Sequence, residues 1–466
     1  MSLLEYYNYK TRTLILPIDF KDELFYNVPE DTLIIIFNSS SIFNNKIGHI
    51  GCGDADCPHN LPNNLTHLTL GNRFNQTIDN LPSSLTNLTL GTDFDLPVDN
   101  LPKNLVYLEF GDNFDQLIDN LPKSLVHLYF GNDFDLPVGH QGCKEVNCPR
   151  NLPTGLTHLF FGDCFNKSVD NLPNGLIHLV LGDSFNQKVD NLPTGLTYLT
   201  LGYYFNQPID NLPKNLASLT LRENFYQSLE NLPKNILLLR LGNGFHNLNN
   251  LPNNITDLFL ADDFDKQIDK LPDSITILRL GKSFNQSIDK LPASLTHLIL
   301  GLSFDKPIEN LPKTVTTLTL NSNIVYDNLP NSIKKLSFGP WFNNTVENLP
   351  NNLTHLSFGD KFNQTIDNLP NSIRQLTLGK SFNKKINKCP DSLLTLTIYS
   401  ESIQYQDIPQ TVKILKIWFN TNSTHVVDNI PSHIKKIRIS DRRYLKNLKK
   451  IPFGCKVYDL DSIELI

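Results

Sequence analysis

Two short stretches of this 466-residue chain carry residue types that bind metals or exchange electrons. Gly48-His49-Ile50-Gly51-Cys52 is followed, after four residues, by Cys57-Pro58. Gly139-His140-Gln141-Gly142-Cys143 is followed, again after four residues, by Cys148-Pro149. Both read Gly-His-x-Gly-Cys, a spacer, then Cys-Pro. His49, Cys52 and Cys57, or His140, Cys143 and Cys148, offer an imidazole and two thiolates, and a tetrahedral zinc site needs one further ligand from elsewhere. A local disulfide is a second reading of each pair of cysteines, and a long loop with inert thiols is a third. Zinc is the cofactor these loops admit; no cofactor at all is the alternative.

The elements that must position these loops are repeats. Leu61 to Asn80 reads LPNNLTHLTLGNRFNQTIDN, and Leu81 to Asn100 reads LPSSLTNLTLGTDFDLPVDN. The same Leu-Pro step returns, mostly every twenty residues, as far as Pro370 and then as Cys389-Pro390, with weaker copies at Pro29, Pro409, Pro431 and Pro452. A short fixed period marks a stacked array, because one unit buries too little apolar surface to fold alone. Alternation in Leu68-Thr69-Leu70 predicts a strand, with leucines inward and threonine outward. Gly71 is expected to end the strand with a turn at positive φ. Phe74 and Ile78 are apolar anchors of the return path. Asp79-Asn80 before Leu81-Pro82 reads as a turn in which Asp and Asn bond their own backbone. The return path has too few helix formers for an α-helix, so an irregular or 3-10 back face is expected. Strands then pair in parallel with right-handed crossovers. The fold class is a β-rich, leucine-rich-repeat-like solenoid with one short parallel strand per repeat, stacked into one elongated body.

Phe205-Asn206-Gln207-Pro208-Ile209-Asp210 and Phe362-Asn363-Gln364-Thr365-Ile366-Asp367 carry a Phe-Asn-x-x-Ile core. In this the units resemble the FNIP repeat, a leucine-rich-repeat relative of amoeboid protists and the large DNA viruses that infect them. The resemblance covers nearly the whole chain and carries over no catalytic site. Some members join the repeats to an amino-terminal F-box, which implies a substrate receptor of a ubiquitin ligase. Here residues 1–47 fit two degenerate capping repeats better, because Ile34-Ile35-Ile36 is β-branched and favours strand over helix. The organisation read from the sequence is a cap at 1–47, the solenoid at 48–440 with insertions at 48–58 and 139–149, and a second cap at 441–466.

No phosphate loop, dinucleotide fingerprint or zinc-protease motif occurs, so the chain reads as no enzyme. A net charge of −6 is too mild to attract nucleic acid or anionic lipid, and no apolar stretch approaches the length of a membrane span. Without a secretory signal at Met1 to Lys10, the expected setting is intracellular, in the cytoplasm of the producing or host cell, and the chain a monomer. Asp79, Asp99, Asp119, Asp170 and their counterparts form an acidic column, either turn caps or a calcium ladder.

Function must lie where the repeats vary, on the outward strand positions. There His127, Tyr129, His158, Phe160, His178 and Tyr198, with Tyr107 beside them, form an aromatic and histidine patch. Such a patch suits a protein partner of unknown identity, and a histidine ladder is also a metal-binding pattern. The leading expectation is therefore a protein-binding scaffold or adaptor, with a ubiquitin-ligase receptor and a structural or coat component as alternatives. The cysteine loops yield a direct test. If they hold zinc, metal analysis of protein purified under reducing conditions will find one ion per loop, and Cys52→Ser and Cys143→Ser will each remove one. Metal-free, chelator-resistant folded protein would leave the plain-loop reading.

Overall fold

The computed structural model describes residues 3–20, 28–45, 47, 61–138, 152–244, 248, 250–324, 326, 328–386, 388–399, 401 and 404–466. Two compact units divide the chain, Met1–Gly244 and Phe245–Ile466. Each is a stack of coils with one short strand per coil. The first holds β1 (Tyr7–Asn8), β2 (Thr13–Leu16), β3 (Ile34–Phe37), β4 (His67–Thr69), β5 (Asn87–Thr89), β6 (Tyr107–Glu109), β7 (His127–Tyr129), β8 (His158–Phe160), β9 (His178–Val180), β10 (Tyr198–Leu201), β11 (Ser218–Leu221) and β12 (Leu238–Leu241). The second holds β13 (Asp257–Leu260), β14 (Ile277–Arg279), β15 (His297–Leu300), β16 (Thr317–Leu320), β17 (Lys335–Phe338), β18 (His355–Ser357), β19 (Gln375–Thr377), β20 (Thr395–Tyr399), β21 (Ile414–Trp418), β22 (Lys436–Ile439) and β23 (Lys456–Tyr458).

Within each unit successive repeat strands pair in parallel and in register. Leu68 faces Leu88, Leu88 faces Leu108, and Leu108 faces Leu128. The eleven-residue insertion at 139–149 does not disturb this, since Leu128 still faces Leu159 and Tyr129 faces Phe160. The added length between β7 and β8 leaves their pairing unchanged. The return path is irregular; among the described residues there is no α-helix, and 3-10 turns occur only at Leu3–Tyr6, Tyr405–Asp407 and Arg442–Asn447.

Inward leucines and return-path phenylalanines make the core. Leu68, Leu128, Leu159 and Leu199 are all buried, as are Phe74 and Ile78. The phenylalanines stack as a spine along the array: Phe74 on Phe94 at 6.4 Å, Phe165 on Phe185 at 6.2 Å and Phe205 on Phe225 at 5.9 Å between ring centres. The second unit repeats the device, with Phe284 on Phe304 at 6.1 Å and Phe362 on Phe382 at 6.2 Å. Full burial of each such ring contributes about 1.5–3 kcal/mol, and it is realised only when the next coil is in place.

The residue after each phenylalanine closes a second ladder. Asn75 Oδ1 accepts the backbone N–H of Asp95 at 3.1 Å, Asp95 Oδ1 that of Asp115 at 3.0 Å, and Asn166 Oδ1 that of Asn186 at 2.9 Å. Each side chain thereby satisfies a backbone donor that the irregular return path leaves without a strand partner. Gln207 Nε2 adds a bond to Asn186 Oδ1 at 3.2 Å.

Two local expectations are corrected. The strand-ending glycines do not turn at positive φ; Gly454 alone among the described glycines does so. Their role is close approach. A Cβ on Gly111 would lie 1.9 Å from the Gly91 carbonyl oxygen, and one on Gly162 would lie 2.0 Å from that of Gly131. Likewise, Asp and Asn of the turn bond across coils instead of to their own backbone. Asn100 Nδ2 donates to Asp79 Oδ1 at 3.1 Å, Asn211 to Asp190 at 3.0 Å and Asn310 to Asp289 at 2.9 Å. Stacking at strand spacing puts the neighbouring amide nearer than the local one.

Both terminal edges of parallel sheet carry an antiparallel segment. β1 runs against β2, with Tyr7 facing Leu14. Beyond β23, Leu465 N–H donates to the Val457 carbonyl at 2.7 Å and Val457 N–H to the Ile466 carbonyl at 2.8 Å. These segments occupy backbone groups that would otherwise template further strands.

The glycine geometry predicts a contrast between two substitutions. Gly162→Ala will cost about 1–3 kcal/mol through overpacking, read as a lower urea midpoint. Gly155→Ala, whose nearest neighbour would be 3.7 Å from the new Cβ, will leave the midpoint unchanged.

Candidate functional site

The outward positions of β6 to β10 bring the seven predicted patch residues together. Tyr107 pairs with His127 and His127 with His158 in one column, continuing through His178 to Tyr198. Tyr129 and Phe160 form the neighbouring column. Their leucine neighbours are buried, whereas the patch side chains are half-buried and Tyr198 is exposed.

The rings touch along the whole stretch. Tyr107 lies 5.2 Å from Tyr129, and Tyr129 stacks on Phe160 at 4.4 Å with planes 14° apart. His127 stacks on His158 at 4.4 Å. His178 lies 4.8 Å from Phe160 and 5.4 Å from Tyr198. This is a continuous ring-lined surface on short, rigid strands.

Polar contacts orient several of these rings. Thr157 Oγ1 donates to the Val126 carbonyl at 3.3 Å and lies 2.8 Å from His158 Nδ1. The Thr157 hydroxyl thereby holds the His158 ring by its Nδ1 edge and leaves the Nε2 edge directed away from that contact. Tyr107 donates its hydroxyl to Glu109 Oε2 at 2.7 Å, and Thr89 Oγ1 lies 3.4 Å from the same oxygen. Burial, then the hydrogen bond to Glu109, pushes the Tyr107 phenol above its ordinary value. Burial and then the Glu109 charge do the same to Tyr129. His127 and His178 are lowered, first by burial and then by neighbouring His158.

Within the histidine column, His127 stacks on His158 with planes 29° apart, and His178 is tilted by 60° against His158 at 5.7 Å. No three His, Cys, Asp or Glu side chains among the described residues form a group that could hold a metal ion. The candidate zinc residues His49, Cys52, Cys57, His140, Cys143 and Cys148 lie outside the described residues. Nor does any helix among the described residues have the length and apolarity to cross a membrane.

Acidic side chains flank the patch. Loop positions just beyond the strands carry Asp93, Asp112, Asp133, Asp163 and Asp183, and the Phe-Asn register carries Asp95, Asp115 and Asp135. Their combined field is felt at the exposed Cys164, whose thiol is raised by its burial and then by Asp133, Asp163, Asp135 and Asp115. Lys167 to Asp135 at 2.6 Å and Arg222 to Asp183 at 2.8 Å are salt bridges in these rows. The mild overall charge conceals this asymmetry: residues 1–244 hold 15 Lys and Arg against 26 Asp and Glu. At the other extreme of the chain, Lys416, Lys436 and Arg438 hold the outward positions. There Lys436 Nζ lies 4.0 Å from the Tyr458 ring centre and Arg438 donates to Ser462 Oγ at 3.1 Å, so the chain's own tail engages part of that basic surface.

Sequence reasoning placed Glu109 on the outward face but left it out of the patch, although in the other coils from β4 to β10 its position carries Thr, Tyr, Phe or Val. It also missed exposed Tyr203, Tyr204 and Tyr226. The signal was available, since these tyrosines replace residues that are polar in other repeats.

FNIP repeat models match residues 58–93, 95–133, 165–204, 188–211, 247–283, 284–323, 321–361, 342–368 and 362–400. The chain belongs to the FNIP repeat family. It is 33% identical to CroV588, whose crystal structure is described as a novel circular leucine-rich-repeat protein; the match covers 96% of this chain and 72% of that one with a TM-score of 0.65. The protein of the TLR13–ssRNA13 complex shares the fold at 16% identity and a TM-score of 0.59, over 96% of this chain and 78% of that one. No curated protein sequence matches. The family and the parallel-strand solenoid anticipated from the Phe-Asn-x-x-Ile core are thus established.

The histidine environment sets a pH dependence. His127 and His178 have folded-state values below the ordinary imidazole value of about 6.5. The folded chain therefore binds fewer protons than the unfolded chain, so stability is unaffected above about pH 6.5 and declines as pH falls below it. Thermal unfolding at about pH 7.5 and about pH 5.5 will show this loss, and the double variant His127→Asn/His178→Asn will show a smaller one. An unchanged difference between the two pH values would contradict it.

Proposed function

We propose that this FNIP-repeat chain is a non-enzymatic protein-binding scaffold whose recognition surface is the outward face of β6 to β10. The observation that supports it most is the unbroken contact among seven rings across five adjacent strands. Aromatic side chains offer large contact area at small entropic cost, and interface hot spots are rich in them. The rings are carried by a parallel sheet whose inward leucines are buried, so little ordering is left to be done on binding. The scaffold reading carries with it a monomeric, intracellular chain.

The ubiquitin-ligase alternative finds no α-helix among the described residues of 1–47, which instead contain β1, β2 and β3. RNA, named for the TLR13 complex, is a poor match to an amino-terminal unit in which acidic residues outnumber basic ones.

Affinity capture from the native cell, followed by mass spectrometry, will supply the partner. Tyr129→Ala with Phe160→Ala is expected to leave the melting curve close to that of the parent while weakening the captured complex by about tenfold or more. Equal binding by this variant, with losses from substitutions on the return-path loops, would move the site off the sheet face.

A further inference from the structure

The patch contains one feature that a generic hydrophobic interface does not need. Among the described outward positions of β4 to β11, Glu109 is the sole Asp, Glu, Lys or Arg. Its Oε2 is pinned by the Tyr107 hydroxyl at 2.7 Å and approached by Thr89 Oγ1 at 3.4 Å. Tyr107 also lies beside Tyr129, so the carboxylate is bordered by two phenol rings. A groove of about 450 Å³ opens on it, lined by Glu109, Asp112, Thr69, Thr89 and Thr92 among others. Every one of these five side chains can accept a hydrogen bond, and two are carboxylates.

From this geometry we infer that the partner presents an arginine-rich segment to the sheet face, with one guanidinium seated against Glu109 between the groove and the Tyr107–Tyr129 rings. The inference rests on the scaffold reading above and specifies its partner's chemistry. A guanidinium is planar, stacks on aromatic faces and offers five donors in a rigid fork, which suits a carboxylate set beside phenol rings. Further along the same face, the stacked Tyr129–Phe160 pair can take a second such side chain. The aspartate rows supply the long-range field that attracts a basic segment. That field disfavours both an acidic protein and a nucleic acid.

The test uses the full chain and a fluorescently labelled peptide of alternating arginine and glycine, followed by anisotropy at low and high salt. Matched lysine–glycine and glutamate–glycine peptides and a single-stranded RNA serve as comparisons. The arginine peptide should bind best. Glu109→Gln, which keeps an acceptor for Tyr107, should weaken it by about tenfold, and Tyr129→Ala with Phe160→Ala should weaken it as well. Glu230→Gln removes an equal charge from an exposed turn and should change affinity by no more than about twofold. Glu109→Lys should abolish arginine-peptide binding and favour the glutamate peptide.

Equal losses from Glu109→Gln and Glu230→Gln would reduce the effect to bulk charge and overturn the inference. So would preferential binding of the RNA or of the glutamate peptide to the unmodified chain. The captured native partner separates the two levels. If Tyr129→Ala with Phe160→Ala weakens it and Glu109→Gln does not, the scaffold reading stands and the arginine inference falls. If neither variant matters, the scaffold reading falls too.

Discussion

The carbonyl oxygen of Gly91 comes within 1.9 Å of the place where a Cβ on Gly111 would sit, and the same approach recurs at Gly131, Gly162, Gly182 and Gly202. This contact between successive backbones sets the architecture of each unit. It holds one coil directly over the next, and so makes every position of the repeat stack on its own kind. A Cβ added at these glycines would meet the preceding coil's carbonyl, and in a stacked array each coil depends on its neighbours for its core. Where glycine is replaced, as by Arg222 after β11 and Asn321 after β16, the array continues in parallel.

Self-stacking explains both the chemistry of the core and the freedom of the surface. Phenylalanine on phenylalanine buries each ring, and asparagine or aspartate on the next coil's N–H satisfies the return-path backbone. These positions tolerate little variation, because a misfit is felt in two neighbouring coils. Outward strand positions are under no such demand. They are nevertheless brought into columns by the same register, so variation toward tyrosine, histidine and phenylalanine in a few adjacent repeats produces a continuous surface.

Charge follows the same logic. A total of −6 spread evenly would steer nothing, but aspartates that recur at fixed repeat positions become rows. The rows lie beside the ring-lined face because strand and following loop are joined in every coil. An attractive field and an aromatic surface are thereby delivered to one place by a single period, and Glu109 sits where the two meet.

The sequence by itself determined the repeat, the family, the strand in each coil and which leucines point inward, because a period of two within a period of about twenty admits one stacked solution. It also placed Tyr107, His127, Tyr129, His158, Phe160, His178 and Tyr198 on one face, by counting from each proline. Only the tertiary structure decided what Gly71, Asp79 and Asn100 do. Their roles depend on distances between coils: the glycine admits a neighbour's carbonyl, and the Asp–Asn pair bonds across coils. A reading of one repeat at a time assigns such residues to local turns. The importance of Glu109 was hidden for the same reason, since a lone carboxylate gains meaning from Tyr107 and Thr89 beside it and from the aspartate rows in coils tens of residues away.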